Sequence, residues 1–142
     1  MSKLLERLKD PGRSGVYRAG GREAILECAH AGSLQAASVS LRGAADKAGV
    51  LAAIAEALAF PAWFGRNWDA LEDCLTDLGW REGGVQVLLF EDWDGVGAGE
   101  LKALIDVLGA AAAFWAGERT PFFAVFVDPA RRLALQDLYR GA

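Results

Sequence analysis

The sequence predicts an α/β domain in which α-helices pack against a small, mostly parallel β-sheet. Strand-like segments alternate along the chain with segments that carry a helical apolar repeat, which is the pattern of strand–helix–strand units. Two nearly continuous apolar runs, Val85–Phe90 and Phe122–Val127, are typical of parallel strands buried on both faces. Right-handed crossovers are expected to join such strands.

The first part of the chain predicts a helix, a strand and a second helix. Ser2–Lys9 has leucines on one side and ends at a Pro-Gly pair, which indicates a short amphipathic helix. Gly15–Ala19 is a short strand followed by two glycines. Arg22–Ala31 has Ala24, Ile25 and Cys28 on one side and is expected to be helical.

From residue 34 onward, the spacing of apolar residues changes from the two-residue period of a strand to the 3.6-residue period of a helix, and then back. Ala37, Val39 and Leu41 alternate within a strand over Leu34–Leu41. An apolar stripe then predicts a helix over Asp46–Ala59. After Phe60 the predicted elements are a helix that begins at Asn67, the strand Val85–Phe90, a helix over Glu100–Ala116, the strand Phe122–Val127 and a last helix over Ala130–Tyr139.

Composition limits the class of protein. The 142 residues fit one domain, 1–142, and the 53% of hydrophobic residues argue against intrinsic disorder. The sequence has neither an apolar run of about 18 residues nor a secretory signal, so we expect a cytoplasmic protein with no membrane partner. The two cysteines, Cys28 and Cys74, have no metal or redox spacing and are expected to be buried thiols.

The segment Phe60–Trp80 joins an aromatic loop to a short two-sided helix. Asn67 is a suitable N-cap because its side-chain oxygen can accept a backbone N–H of the first turn. The apolar side of the predicted helix comprises Trp68, Leu71, Cys74, Leu75 and Leu78. The polar side comprises Asp69, Glu72, Asp73, Thr76 and Asp77.

The polar side carries four acids and no base, which is unfavourable for an isolated helix. Asp69/Asp73 and Asp73/Asp77 are like-charge pairs four residues apart, and each destabilises a helix by about 0.2–0.5 kcal/mol. Because Trp63 and Phe64 lie on the adjoining loop, we interpret this side as a binding surface rather than as a solvated face.

Charge indicates the kind of partner. Between Asn67 and Glu100 the chain has nine acids and one base, Arg81. Such a segment repels nucleic acid and attracts a basic protein. We therefore expect a basic protein partner and no nucleic acid.

The run from Phe60 to Leu75, F-P-A-W-F-G-R-N-W-D-A-L-E-D-C-L, resembles the central motif of the barstar family, intracellular protein inhibitors of small secreted ribonucleases. The order of predicted elements between Leu34 and Asp128 is also similar. The resemblance implies a barstar-like core over 34–128, with 1–33 as an N-terminal extension that adds a strand and a helix. Residues 129–142 would form the C-terminal helix.

The resemblance also implies a function. The protein would be an inhibitor and not an enzyme, would need no cofactor, and would bind a small ribonuclease. The contact residues that match the family motif are Trp63, Gly65, Asn67, Asp69, Glu72 and Asp73, with Asp73 the most central. Phe64 and Asp77 complete the predicted partner-binding set. Family members can carry an aromatic residue where this chain has Glu72.

Other functions are compatible with parts of the same pattern. The acids Asp69, Asp73 and Asp77, or the pair Asp92 and Asp94, could offer oxygen ligands to a divalent cation. The aromatic loop could instead dock on a second copy of the chain, although we expect a monomer when the protein is free. The only histidine, His30, has no nucleophile partner in the pattern, which argues against nucleophilic catalysis.

Overall fold

A computed structural model describes residues 3–60, 65–77 and 86–139. Its sheet is five-stranded and parallel in every described pairing, with the order β2-β3-β4-β1-β5. The strands are β1 (Gly15–Ala19), β2 (Ala36–Ser40), β3 (Val87–Glu91), β4 (Phe123–Val127) and β5 (Gln136–Asp137). The helices are α1 (Lys3–Leu8), α2 (Glu23–Ala31), α3 (Lys47–Leu58), α4 (Trp68–Thr76) and α5 (Ala98–Gly117). The predicted α/β class is confirmed.

Strands β3 and β4 are buried on both faces of the sheet, as their apolar runs predict. Along β3 the fully buried side chains alternate between two hydrophobic clusters, with Leu88 and Phe90 in one and Val87 and Leu89 in the other. Successive side chains of a strand point to opposite faces of a sheet, so the clusters are the two sides of the sheet. Helices α3, α4 and α5 cover the first side, and α1 and α2 cover the second.

The N-terminal strand β1 lies inside the sheet, between β4 and the edge strand β5. β1 pairs with β4 over its whole length, from Gly15 opposite Phe123 to Ala19 opposite Val127. The extra strand expected from the sequence is therefore present, and α1 and α2 precede and follow it. None of the helices in the described ranges is long and apolar enough to cross a membrane.

The predicted C-terminal helix over Ala130–Tyr139 is wrong. The chain instead turns after β4 and forms the two-residue strand β5, parallel to β1. The buried carboxylate of Asp128 accepts hydrogen bonds from the backbone N–H groups of Arg132 and Leu133, at 3.0 and 2.8 Å, which fixes the turn. The guanidinium of Arg18 then donates to Asp137 at 2.9 Å and ties the new strand to β1.

Apolar side chains explain why an extended segment is preferred there. Leu133 and Leu135 pack against the first cluster, whereas Leu138 is fully buried in the second. One stripe along a helix cannot reach both sides of the sheet. The three leucines therefore fit a chain that crosses the edge of the sheet.

Candidate functional site: the acidic surface of helix α4

Helix α4 begins where the sequence predicts. The side-chain oxygen of Asn67 accepts a hydrogen bond from the backbone N–H of Ala70 at 2.7 Å, so Asn67 is the N-cap. Asn67 itself is exposed. This predicted contact residue therefore has a structural role that does not depend on a partner.

The apolar side of α4 is anchored in the core. Leu71 and Leu75 are fully buried and Cys74 is nearly so, whereas Trp68 is half-buried against the same cluster. Burial of each leucine contributes about 1.5–3 kcal/mol. The indole N–H of Trp115 on α5 also donates to the backbone oxygen of Leu75 at 2.8 Å. Leu78, also predicted for this side, lies outside the described residues.

The opposite side of α4 presents three exposed carboxylates, Asp69, Glu72 and Asp73, which we call the acidic surface. Within the described ranges, no ion pair joins these carboxylates to a base. Acids elsewhere in the chain do form such pairs. On α5, for example, Asp106 lies 3.0 Å from Lys102.

Asp77, the fourth predicted acid, follows the helix rather than belonging to it. α4 ends at Thr76, and Asp77 has extended backbone angles and is exposed. Its carboxylate still influences the pKa of a side chain on the helix, the thiol of Cys74. Burial first, and then the charges of Asp77 and Asp73, raise the pKa of the Cys74 thiol. The thiol therefore stays protonated at neutral pH.

The loop before α4 is described only from Gly65 onward. The predicted aromatic contacts Trp63 and Phe64 lie outside the described residues. Gly65 is exposed and packs close to the helix, because a Cβ atom placed on it would lie 3.3 Å from the Cβ of Ala70. The next residue, Arg66, is exposed and has a left-handed backbone, with φ of 54°. Sequence reasoning did not select Arg66 as a functional residue.

The acids at and after the end of β3 differ from those of α4, although both groups belong to the acidic segment of the sequence. Glu91 lies 2.9 Å from the guanidinium of Arg22. Asp92 accepts a hydrogen bond from the hydroxyl of Ser40 at 3.0 Å and lies 3.8 Å from Arg42. The charge of this second group is therefore partly neutralised within the protein.

The cation-site alternative gains no geometric support. In the described part of the chain, no three side chains of the His, Cys, Asp or Glu type lie together in an arrangement that could hold a metal ion. The acidic surface is thus a row of carboxylates on a fixed helix. Its chemistry suits contact with a basic macromolecular surface.

Comparison with known proteins identifies the family. The family model described as Barstar (barnase inhibitor) matches residues 34–127, which is more than half of the chain. The matched region runs from β2 to β4 and contains the whole of α4. A comparison with curated proteins finds no match. The extent of the family match shows that the chain belongs to the barstar family.

Proposed function

We propose that this protein inhibits a small ribonuclease by placing the acidic surface of α4 against the basic active site of the enzyme. A ribonuclease must bind the phosphates of RNA, so its active site carries positive charge. Carboxylates on a fixed helix can occupy the phosphate positions and exclude the substrate. The protein itself would perform no chemistry and would need no cofactor.

One observation carries the proposal: Asp69, Glu72 and Asp73 are exposed on a helix of the family-matched region and lack an ion-pair partner among the described residues. Asp69 and Asp73 are one turn apart, which is about 6 Å along the helix axis. Because the core holds α4 in place, little conformational freedom of its backbone would be lost on binding.

The proposal extends to the state and place of the free protein. Two acidic surfaces of this kind repel one another, so we propose that the free protein is a monomer. We also propose that it acts in the cytoplasm, where an inhibitor of this kind would protect cellular RNA. Trp63 and Phe64 stay in the proposed contact set as apolar anchors on the adjoining loop.

Inhibition assays with matched variants test this function. The purified protein would be titrated into barnase and several other small ribonucleases while RNA cleavage is followed. We expect inhibition of at least one enzyme, and a loss of affinity of about 30-fold or more for Asp69→Ala and Asp73→Ala.

Glu27→Ala is the matched control. Glu27 is an exposed acid on α2, which covers the other side of the sheet. We expect this variant to inhibit like the wild type. Failure of the wild-type protein to inhibit any enzyme, or an equal loss for Glu27→Ala, would contradict the proposal.

A further inference from the structure

In the described part of the chain, one hydrogen bond joins helix α4 to another element of the fold. The indole N–H of Trp115 on α5 donates to the backbone oxygen of Leu75, 2.8 Å away, in a buried contact. The other hydrogen bonds described for α4 lie within the helix and its caps. Apart from the Trp115 bond, α4 is attached through the apolar packing of its buried side.

The direction of the α4 carboxylates depends on the rotation of the helix about its own axis. Apolar packing is non-directional, whereas a hydrogen bond is directional and fixes the rotation. A helix with its side chains is about 10–12 Å in diameter, so a rotation of about 10° moves a carboxylate at its surface by about 1 Å. Binding groups must be held within about 0.5 Å of their working positions. The Trp115 bond therefore determines where Asp69, Glu72 and Asp73 lie.

A second side chain holds the same end of α4 from its polar side. The hydroxyl of Thr76, a half-buried residue, donates to the backbone oxygen of Glu72 at 2.9 Å and to that of Asp73 at 3.4 Å. These two oxygens belong to two of the three residues of the acidic surface. The backbone that carries their carboxylates is thus held by Thr76 on one side and by Trp115 on the other.

Neither donor adds positive charge to the helix. A lysine or arginine can also satisfy the last carbonyl groups of a helix, and the helix dipole favours it there. At position 76, however, a lysine would lie four residues after Glu72 and would neutralise part of the acidic surface. Threonine and tryptophan fix the last turn and leave the carboxylates charged for a basic partner.

We propose that Trp115 and Thr76 are positioning residues for inhibition, because they fix the last turn of α4 so that Glu72 and Asp73 already point as the ribonuclease requires. This inference rests on the proposed function and deepens it. Both residues act through the backbone of α4, and neither has to contact the enzyme. A helix that is fixed before binding loses little freedom on binding, so it binds more tightly than a helix that must first be ordered.

Trp93 supplies a matched control for Trp115. Both indoles are buried and both donate to a backbone oxygen 2.8 Å away, but the acceptor of Trp93 is Val127 at the end of β4. Trp115→Phe and Trp93→Phe each remove one such bond and keep an aromatic ring. Dissociation constants would be measured by titration calorimetry with the small ribonuclease that the wild-type protein inhibits most strongly. Thermal melts would give a temperature at which every variant is folded.

A second set of variants tests Thr76 and keeps the inference testable if Trp115→Phe does not fold. Thr76→Val removes the hydroxyl and keeps the shape of the side chain, whereas Thr76→Ser keeps the hydroxyl. Thr120→Val is the control, because the hydroxyl of Thr120 donates to the backbone oxygen of Glu118, just after α5. Amide hydrogen exchange of the free proteins would report the local opening of α4.

We expect the affinity to fall about 5- to 20-fold for Trp115→Phe and about 3- to 10-fold for Thr76→Val, with faster amide exchange in the last turn of α4. The affinity should stay at the wild-type value for Trp93→Phe, Thr120→Val and Thr76→Ser. Trp93→Phe should be destabilised like Trp115→Phe. A purely structural role of Trp115 would therefore give these two folded variants equal affinities.

The outcomes separate this inference from the function on which it rests. If the wild-type protein binds the enzyme, and Trp115→Phe and Thr76→Val bind it as tightly, the two side chains are structural and the inference alone is overturned. An affinity loss for Trp93→Phe as large as that for Trp115→Phe would overturn it as well. If the wild-type protein binds none of the ribonucleases, the proposed function fails and the inference fails with it.

Discussion

The indole N–H of Trp115 donates a hydrogen bond to the backbone oxygen of Leu75, 2.8 Å away, in the buried contact between α5 and α4. The oxygen of Leu75 belongs to the last turn of α4, where carbonyl groups have no backbone N–H four residues further along the helix to accept from. Trp115 therefore satisfies a buried polar group and fixes the end of the helix that carries the acidic surface.

Trp115→Phe is expected to lower the free energy of unfolding by about 1–3 kcal/mol, because it leaves the Leu75 oxygen without this donor while keeping an aromatic ring. Urea denaturation monitored by circular dichroism would measure the change. A free energy of unfolding equal to that of the wild type would mean that the hydrogen bond contributes little.

Alanine substitutions on the two sides of α4 are expected to have opposite effects on the free energy of unfolding. Asp69→Ala and Asp73→Ala each remove a like-charge repulsion and should leave the protein at least as stable as the wild type. Leu71→Ala and Leu75→Ala empty fully buried positions and should cost about 2–5 kcal/mol. Chemical denaturation of the four variants tests this division. A loss above about 1 kcal/mol for Asp73→Ala would assign that residue a structural role.

Local sequence rules predicted α4 well because its determinants are local. The Asn67 cap acts on the backbone three residues away, and the burial of Leu71, Cys74 and Leu75 follows from the helical period. The alternation of Ala37, Val39 and Leu41 likewise predicted a strand over Leu34–Leu41, and β2 forms inside that range, over Ala36–Ser40. Val39 and Leu41 are fully buried. In these elements neighbouring residues decide the structure.

The prediction was wrong where residues distant in the sequence determine the local structure. The helix predicted over Ala130–Tyr139 is replaced by an extended segment that Arg18, more than one hundred positions earlier, holds through Asp137 and the Leu133 oxygen. No local rule contains that contact. The left-handed backbone of Arg66 was equally invisible, because its position before a cap does not determine its φ.

The segment between β3 and α5, residues 92–97, shows the same limit. Trp93, a residue of that segment for which no structural role was predicted, is buried and donates its indole N–H to the oxygen of Val127 at 2.8 Å. The guanidinium of Arg132 lies over its ring, 5.1 Å from the centroid. A tryptophan between polar and glycine residues does not reveal which distant strand it contacts.

Association with the partner should depend on salt. The exposed carboxylates of α4 would attract a basic enzyme from a distance, and dissolved ions screen such attraction beyond about 10 Å at 0.1 M ionic strength. We expect the association rate constant to fall as salt rises, with a smaller change in the dissociation rate constant. Stopped-flow fluorescence at several ionic strengths would measure both. An association rate that is constant across this range would argue against steering by the acidic surface.

The strand β5 should respond to acid through Asp137. The hydrogen bond from Arg18, followed by the charge of Arg131, holds the pKa of this carboxyl below its usual value despite opposing desolvation. A lowered pKa in the folded state gives stability that is present above the unfolded pKa, about 3.9, and is lost as pH falls through the folded pKa.

Asp137→Asn should therefore be less stable than the wild type at neutral pH, and the difference should disappear in strong acid. Thermal melts between pH 7 and pH 2 would show the convergence. Asp10→Asn is a control. Asp10 is an exposed acid whose carboxylate accepts a hydrogen bond from the backbone N–H of Gly12 and not from a charged side chain. A difference between Asp137→Asn and the wild type that is constant with pH would contradict the assignment.

Glu72 should narrow the range of ribonucleases that the protein binds. It is exposed beside Asp73 on the acidic surface, at the position where family members can carry an aromatic residue. An aromatic side chain would add apolar contact area to any partner, whereas a carboxylate must be paired when it is buried. An unpaired buried carboxylate costs several kcal/mol, so the natural partner should offer an arginine or lysine there.

Glu72→Trp tests this role when both proteins are measured against several small ribonucleases. We expect the variant to bind enzymes without a facing base more tightly, and to bind the natural partner more weakly because its base loses the carboxylate. Glu72→Gln, which keeps the shape and removes the charge, separates electrostatic from steric effects. If the rank order of affinities is the same for wild type and both variants, Glu72 is a solvated surface charge and other residues determine specificity.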